Sequence, residues 1–350
     1  LFPLPSFLSP VPCSLRLRST LAYNLESVMA ASATPNAASL RARLAVYAEL
    51  AKVRLIALVL VTTAVGFAMA DAGPFWGARL AWTMLGTALA AAGSMALNQW
   101  LETDRDALME RTRNRPLPAG LLSRRHALAF GVVLAAVGLG VLASRVNALT
   151  ALLGLLVVVL YVAVYTPLKS RTPLCTLAGA VCGAIPPMMG WSAAAGSLGF
   201  GAWLLAGVLF LWQIPHFLAL AWLYRDDYRR GGFRMLPVLD PEGRVTAGFA
   251  LVYAAALVPV TLAAAAGGLA GRTYGAGAVA LGLAFLLAGI GLARSRSSAS
   301  ARRLFLASLL YLPLLLGLMV ADRTPPPGGR FSVGYAAPAG PAPGETTAAP

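Results

Sequence analysis

Apolar stretches of roughly 20 residues recur along the chain near 52–71, 78–98, 125–144, 147–166, 174–195, 201–224, 246–266, 273–293 and 303–321, separated by short polar segments. As helices rising about 1.5 Å per residue, each is long enough to cross about 30 Å of hydrocarbon. The pattern predicts an all-α membrane protein with nine transmembrane helices. The second and sixth runs both end in acid-rich segments that fall on the same side, with three runs between them. Two parallel four-helix pseudo-repeats plus one helix would produce that arrangement. An inverted repeat of the transporter kind would put the two halves on opposite sides.

Composition agrees with this reading and narrows it. With 58% hydrophobic and 12% charged residues and a mean hydropathy of +0.72, a soluble surface cannot be built. The formal net charge is +15. Its basic residues sit in clusters between apolar runs rather than along a groove, which argues for topology and against nucleic acid. Alternating sides leave only Arg79, Arg145, Arg272, Arg323 and Arg330 opposite the other 23 basic residues. By the positive-inside bias, the N-terminus and both acid-rich loops are expected in the cytoplasm and the C-terminus outside. Cys13, Cys175 and Cys182 offer no paired framework. Residues 1–45, rich in Ser, Pro and Arg, read as a disordered or targeting-like extension, or as translation begun upstream of Met29. Residues 323–350, rich in Pro, Gly and Ala, read as a disordered tail. The domain is expected over 46–322.

The acids carry the chemistry. Of 13, eight fall in two loops: Glu102, Asp104, Asp106 and Glu110 after the second run, and Asp226, Asp227, Asp240 and Glu242 after the sixth. Asn98, Glu102, Asp106 and Glu110 recur at intervals of four, so a helix continuing out of the membrane would stack them on one face. Like charges in a row suit oxygen ligands gathered for a hard cation such as Mg²⁺, which completes its shell with water and substrate phosphate. A charged interfacial loop, neutralised by Arg105, Arg111, Arg113 and Arg115, is the alternative. The second loop mixes Asp226 and Asp227 with Arg225, Arg229, Arg230 and Arg234. Acids and arginines together suit a metal–phosphate clamp. Two such loops over apolar helices imply a polyanionic head on an apolar tail, the shape of an isoprenyl diphosphate.

The only two lysines, Lys52 and Lys169, lie at the edges of apolar runs on the acid side. Lys169, between Pro167 and Pro173, and Lys52 with Arg54 could each reach a phosphate or simply snorkel. His216 lies inside the sixth run, just after Pro215. A polar residue at that depth marks a functional site, or bonds a carbonyl that Pro215 leaves free.

The strings NQWLETDRDALMERTRNRPLPAG, YTPLKSRTP, GAIPPMMGW and WQIPHFLALAWLYRDDYRRGGFRMLPV resemble the UbiA-type intramembrane prenyltransferases over about residues 45–322, and within them the branch whose acceptor is protohaem IX. The resemblance implies a UbiA-type bundle that moves farnesyl from farnesyl diphosphate to a vinyl group of haem b, with water added, to form haem O. Carried over residue by residue, it assigns Asn98, Glu102, Asp106, Asp226 and Asp227 to catalysis, with Asn98, Glu102, Asp106 and Asp226 holding Mg²⁺. Arg111, Arg115, Lys169, Lys52, Arg54 and Arg225 would bind diphosphate, and His216 would contact haem. A haem A synthase or a terminal-oxidase assembly factor would be the partner that receives the product. The membrane would be a bacterial inner membrane, with the mitochondrial inner membrane as the alternative. Two departures stand out: Arg230 and Gly231 occupy the positions where many family members complete a second DxxxD, and Glu102 replaces the commoner Asp. Rival readings are the same chemistry on a hydroxybenzoate, quinone precursor or chlorin, and a transporter for an anionic lipid.

Overall fold

A computed structural model describes residues 35–70 and 77–324. The chain runs α1 (Pro35–Ala51), α2 (Val53–Ala70), α3 (Ala78–Asp106), α4 (Arg124–Arg145), α5 (Ala148–Val159), a π-helical turn (Leu160–Tyr165), a last turn Thr166–Leu168, α6 (Cys175–Ala195) and α7 (Phe200–Leu223). It ends with two short helices, α8 (Arg225–Arg230) and α9 (Leu236–Leu239), then α10 (Arg244–Ala266), α11 (Arg272–Ser295) and α12 (Ser298–Ala321). Among the described residues, nine helices are long and apolar enough to cross a membrane, counting Ala148–Leu168 as one. They fall on the nine runs expected from hydropathy, so the chain is an integral membrane protein of the all-α class.

Helix α1 begins inside the stretch expected to precede the domain. Its alanines and leucines favour helix, and Pro35 stands at the first position, where its missing N–H is not needed. The rest of the expected N-terminal extension, residues 1–34, and most of the expected tail, from 325 on, lie outside the described residues. The carbonyls at the end of α1 are satisfied by Gln99, whose Nε2 donates to Glu49 O (3.0 Å) and Leu50 O (2.9 Å). Lys52 then takes a left-handed backbone (φ 53°) that separates α1 from α2. Such a conformation is unfavourable for a side chain with a Cβ and persists where the surroundings impose it.

Helices α6 and α7 form the centre of the bundle, and α2, α4, α5, α10 and α11 keep broad apolar faces outward. In lipid those faces need no cover, so helix association rests on close packing. The seam between α3 and α4 shows how close. A Cβ added at Gly93 would lie 2.5 Å from Ala135 N and 2.6 Å from Gly131 O. Where α2 meets α6, a Cβ at Gly190 would land on the Thr63 carbonyl.

Candidate active site

Helix α3 has 29 residues, about 43 Å of helix, which is longer than the hydrocarbon core. Its first 20 residues are apolar, and the acid row begins where they end. The overhang from Asn98 to Asp106 is helical, so Asn98, Glu102 and Asp106 share a face and all three are buried. Glu110 departs from the expected row. The helix ends at Asp106, and Glu110 is exposed on the following loop.

Three other segments close on this face. Lys52 Nζ donates to Asn98 Oδ1 at 2.9 Å. Thr166 Oγ1 accepts from Asn98 Nδ2 at 3.0 Å. Lys169 donates to Glu102 Oε2 at 3.1 Å and lies 2.8 Å from Oε1, without hydrogen-bond alignment at the latter. Arg115 Nη1 donates to Asp106 Oδ2 at 2.7 Å. Two carboxylates thus face three cations. Burial, with Arg115 and Lys169 close by, holds the Lys52 ammonium well below the usual lysine range. Burial opposes the charge on Lys169 as well, but Glu102 outweighs it and moves that lysine upward. Lys169 also lies 4.6 Å from the centroid of the Tyr165 ring, which is 5.2 Å from that of Tyr161.

The two acid-bearing loops are clasped to each other. Arg105 donates to the carbonyls of Gly231 and Gly232 (3.2 and 3.0 Å). Buried Asp227 accepts from the backbone N–H of Glu110 (2.9 Å) and of Arg111 (3.3 Å) and from Arg230 (2.7 Å). Burial disfavours its charge, yet Arg230 and the two amides together lower its pKa. Arg111 sits over the rings of Tyr224 and Tyr228 (4.7 and 5.3 Å) and donates to the Tyr228 hydroxyl. Asp227 therefore anchors the loop that carries Arg111 and Arg115.

The other expected site residues are not brought to the cluster. Asp226 is exposed and pairs with Arg229 at 2.8 Å; it lies on the outer face of α8, one residue from buried Asp227. Arg54 is exposed on α2, and Arg225 stacks over Trp222 at 5.1 Å. The His216 ring stacks with Trp212 of its own helix and with Phe305 of α12, and its Nδ1 is 2.7 Å from Ser308 Oγ of α12. With the Ser308 hydroxyl donating to Phe305 O, the neutral ring would donate from Nδ1; with it donating to His216, Nδ1 would be the acceptor.

Thr166 and Gln99 are contributors that sequence reasoning overlooked. The signal for Thr166 was the adjacent Pro167, which marks a break in helical bonding just where a polar side chain meets the membrane edge.

The donor set fits a hard divalent cation. Among the described residues, no three His, Cys, Asp or Glu side chains form a metal-binding group by themselves. Asp106 Oδ1, however, is buried with no hydrogen-bond partner, an arrangement that normally costs about 1–3 kcal/mol or more for a charged group. A cation relieves it, and two carboxylates with one amide oxygen leave room for phosphate and water, as Mg²⁺ requires. Lys52, Lys169 and Arg115 crowd two carboxylates, and a diphosphate entering with its metal would favour the Lys52 ammonium that burial and its basic neighbours disfavour.

A buried acid row faced by basic side chains, at one end of an intramembrane bundle with nine long apolar helices among the described residues, fits the class of integral membrane enzymes. Residues 59–330 match the model of the UbiA prenyltransferase family, and the chain belongs to that family. It is 45% identical over 286 residues to a protoheme IX farnesyltransferase of Solibacter usitatus, covering 79% of this chain and 98% of that one. It is 42% identical over 284 residues to the mitochondrial protoheme IX farnesyltransferase of Homo sapiens, covering 81% and 63%. The fold is similar to that of a digeranylgeranylglyceryl phosphate synthase (TM-score 0.68, 14% identity, covering 80% of this chain and 98% of that one). It is also similar to a UbiA homologue from Archaeoglobus fulgidus bound to GPP and Mg²⁺ (TM-score 0.59, 18% identity, covering 78% and 98 to 99% across its prenyl diphosphate complexes).

Proposed function

We propose that this protein transfers the farnesyl group of farnesyl diphosphate to a vinyl group of haem b and that water completes the reaction, giving haem O. The observation that carries the reading is the buried cluster at the end of α3, with three cations, two carboxylates and an unpartnered Asp106 oxygen. The names of the relatives supply the acceptor. Asn98, Glu102 and Asp106 would hold Mg²⁺. Asp226, exposed on the outer face of α8 and paired with Arg229, would join them only if α8 turns when substrate binds. Bound there, Mg²⁺ offsets charge that develops on the leaving diphosphate.

Lys52, Lys169, Arg111 and Arg115 donate to the diphosphate oxygens as the allylic C–O bond breaks, with Arg225 and Arg54 at the rim. The Tyr161 and Tyr165 rings present π faces to the allylic cation, and the apolar walls exclude water until the haem vinyl carbon has attacked. Water then adds to the resulting haem-side cation and loses a proton, leaving the hydroxyl. His216, a polar residue at membrane depth, would contact haem. The charge bias supports a cytoplasmic position for the acid loops, in a bacterial inner membrane or its mitochondrial equivalent. A haem A synthase or terminal-oxidase assembly factor would receive the product. The test is to express the protein in membranes lacking haem O, extract the haems and separate them by chromatography. A more hydrophobic haem that requires both farnesyl diphosphate and Mg²⁺ is expected; unchanged haem b overturns the reading.

A further inference from the structure

We propose that Thr166 is a positioning residue that fixes which end of the Asn98 amide faces the metal-binding side of the cluster. The inference rests on the function proposed above, in which Asn98 offers its oxygen to Mg²⁺.

Helix α5 would ordinarily continue through residue 167, but Pro167 has no N–H and its ring crowds the carbonyl one turn back. The chain widens into the π turn Leu160–Tyr165, a device often found at functional sites. In that turn the Thr166 N–H reaches the Tyr161 carbonyl, and the Thr166 hydroxyl donates to the same oxygen at 2.8 Å. A carbonyl has two lone pairs and can accept both. A hydroxyl has one proton, so Thr166 Oγ1 is left only as an acceptor. It meets the Asn98 side chain at 3.0 Å. The atom it faces must be a donor, hence Nδ2, and Oδ1 is turned away toward Lys52.

A carboxylate would need no such device, because both of its oxygens are equivalent. An amide turned the wrong way would point an NH₂ group at a cation. Lys52 also favours the observed orientation, but Lys52 is a diphosphate ligand in the proposed reaction. Once its ammonium turns to phosphate, Thr166 is the restraint that remains. Both Asn98 and Thr166 are buried, so no bulk water can replace the contact.

The experiment compares wild type, Thr166→Val, Thr166→Ser, Asn98→Asp and the Asn98→Asp/Thr166→Val double variant in detergent or nanodiscs. Thermal unfolding reports folding, and Thr166→Ala substitutes for the valine variant if that fails to fold. Mn²⁺ binding followed by electron paramagnetic resonance, with inorganic diphosphate present to engage Lys52 but without either substrate, is the first readout. The Mg²⁺ dependence of haem O formation is the second. Thr166→Val is expected to weaken Mn²⁺ binding and raise the half-saturating Mg²⁺ concentration about tenfold, a single misdirected ligand's worth. The KM for haem and the kcat at saturating Mg²⁺ should stay within about twofold, and Thr166→Ser should behave as wild type. In the Asn98→Asp background the valine change should cost less than about twofold. Wild-type metal dependence in Thr166→Val, or an equal penalty in both backgrounds, overturns the inference while leaving the proposed function standing. A wild-type protein that binds no metal and makes no haem O overturns both.

Discussion

Asp227 is expected to act through the loop it anchors rather than through the metal, and Asp227→Ala separates the two roles. The carboxylate is 8% exposed and receives two backbone N–H groups and Arg230. Truncation leaves both amides without their acceptor. A hydrogen bond to a charged group contributes about 1.5–3 kcal/mol; the 3.3 Å bond from Arg111 belongs at the low end. The half-exposed Arg230 is screened by solvent and adds little. Docking of the loop after α3 should therefore weaken by about 3–5 kcal/mol, enough to raise its undocked fraction at least a hundredfold. Asn, which keeps one acceptor oxygen but loses the charge, should weaken it by about 1–2 kcal/mol. The assay is limited trypsin digestion in nanodiscs, with mass spectrometry of cuts after Arg111 and Arg113, alongside haem O formation; Pro116 blocks cleavage after Arg115. Cleavage should quicken about tenfold or more in Asp227→Ala, and activity should fall at least about tenfold at every Mg²⁺ concentration. Wild-type digestion together with activity restored by extra Mg²⁺ would refute the anchoring role.

The same carboxylate predicts a pH effect. Its folded pKa lies below its ordinary 3.8, so its contribution is complete above the ordinary carboxylate range and is lost as pH falls through the lowered value. The melting temperature in detergent should drop between about pH 5 and pH 3, and less steeply in Asp227→Asn. Asp106→Ala and Asp226→Ala should each reduce turnover by about a hundredfold or more while melting within a few degrees of wild type; normal rates in both would sink the proposed function. Gly190→Val should destabilise the α2–α6 contact by about 1–3 kcal/mol or more, read as a lower melting temperature, since its side chain would overlap the Thr63 carbonyl.

Hydropathy made the nine spans legible because crossing a membrane demands long uninterrupted apolar runs. The acid row was legible because acids are scarce here, and the four-residue spacing survived as far as Asp106. It failed at Glu110 because helix α3 stops where Thr112 turns back to the Asp106 carbonyl. The partners of the row could not be read. Lys52 and Thr166 lie 46 and 68 residues from Asn98, and only the folded bundle brings them together. Asp226 and Asp227 are adjacent in sequence, yet the helical turn of α8 buries one against the neighbouring loop and leaves the other in the open. Helix α1 was hidden because its Ser, Pro and Arg content resembles that of a targeting segment.

The overhang of α3 fixes at what depth the reaction is set. The nine-residue overhang from Asn98 to Asp106 sets the buried acid row beyond the apolar run, so under the proposed function a substrate would keep its phosphates at headgroup level and its isoprenoid tail among the acyl chains. Under the proposed function the groups that would bind phosphate lie at one end of the bundle, so substrate and product would exchange with a single leaflet. The lipid composition of that leaflet, and the rate at which isoprenoid and porphyrin diffuse within it, become part of the enzyme's supply line.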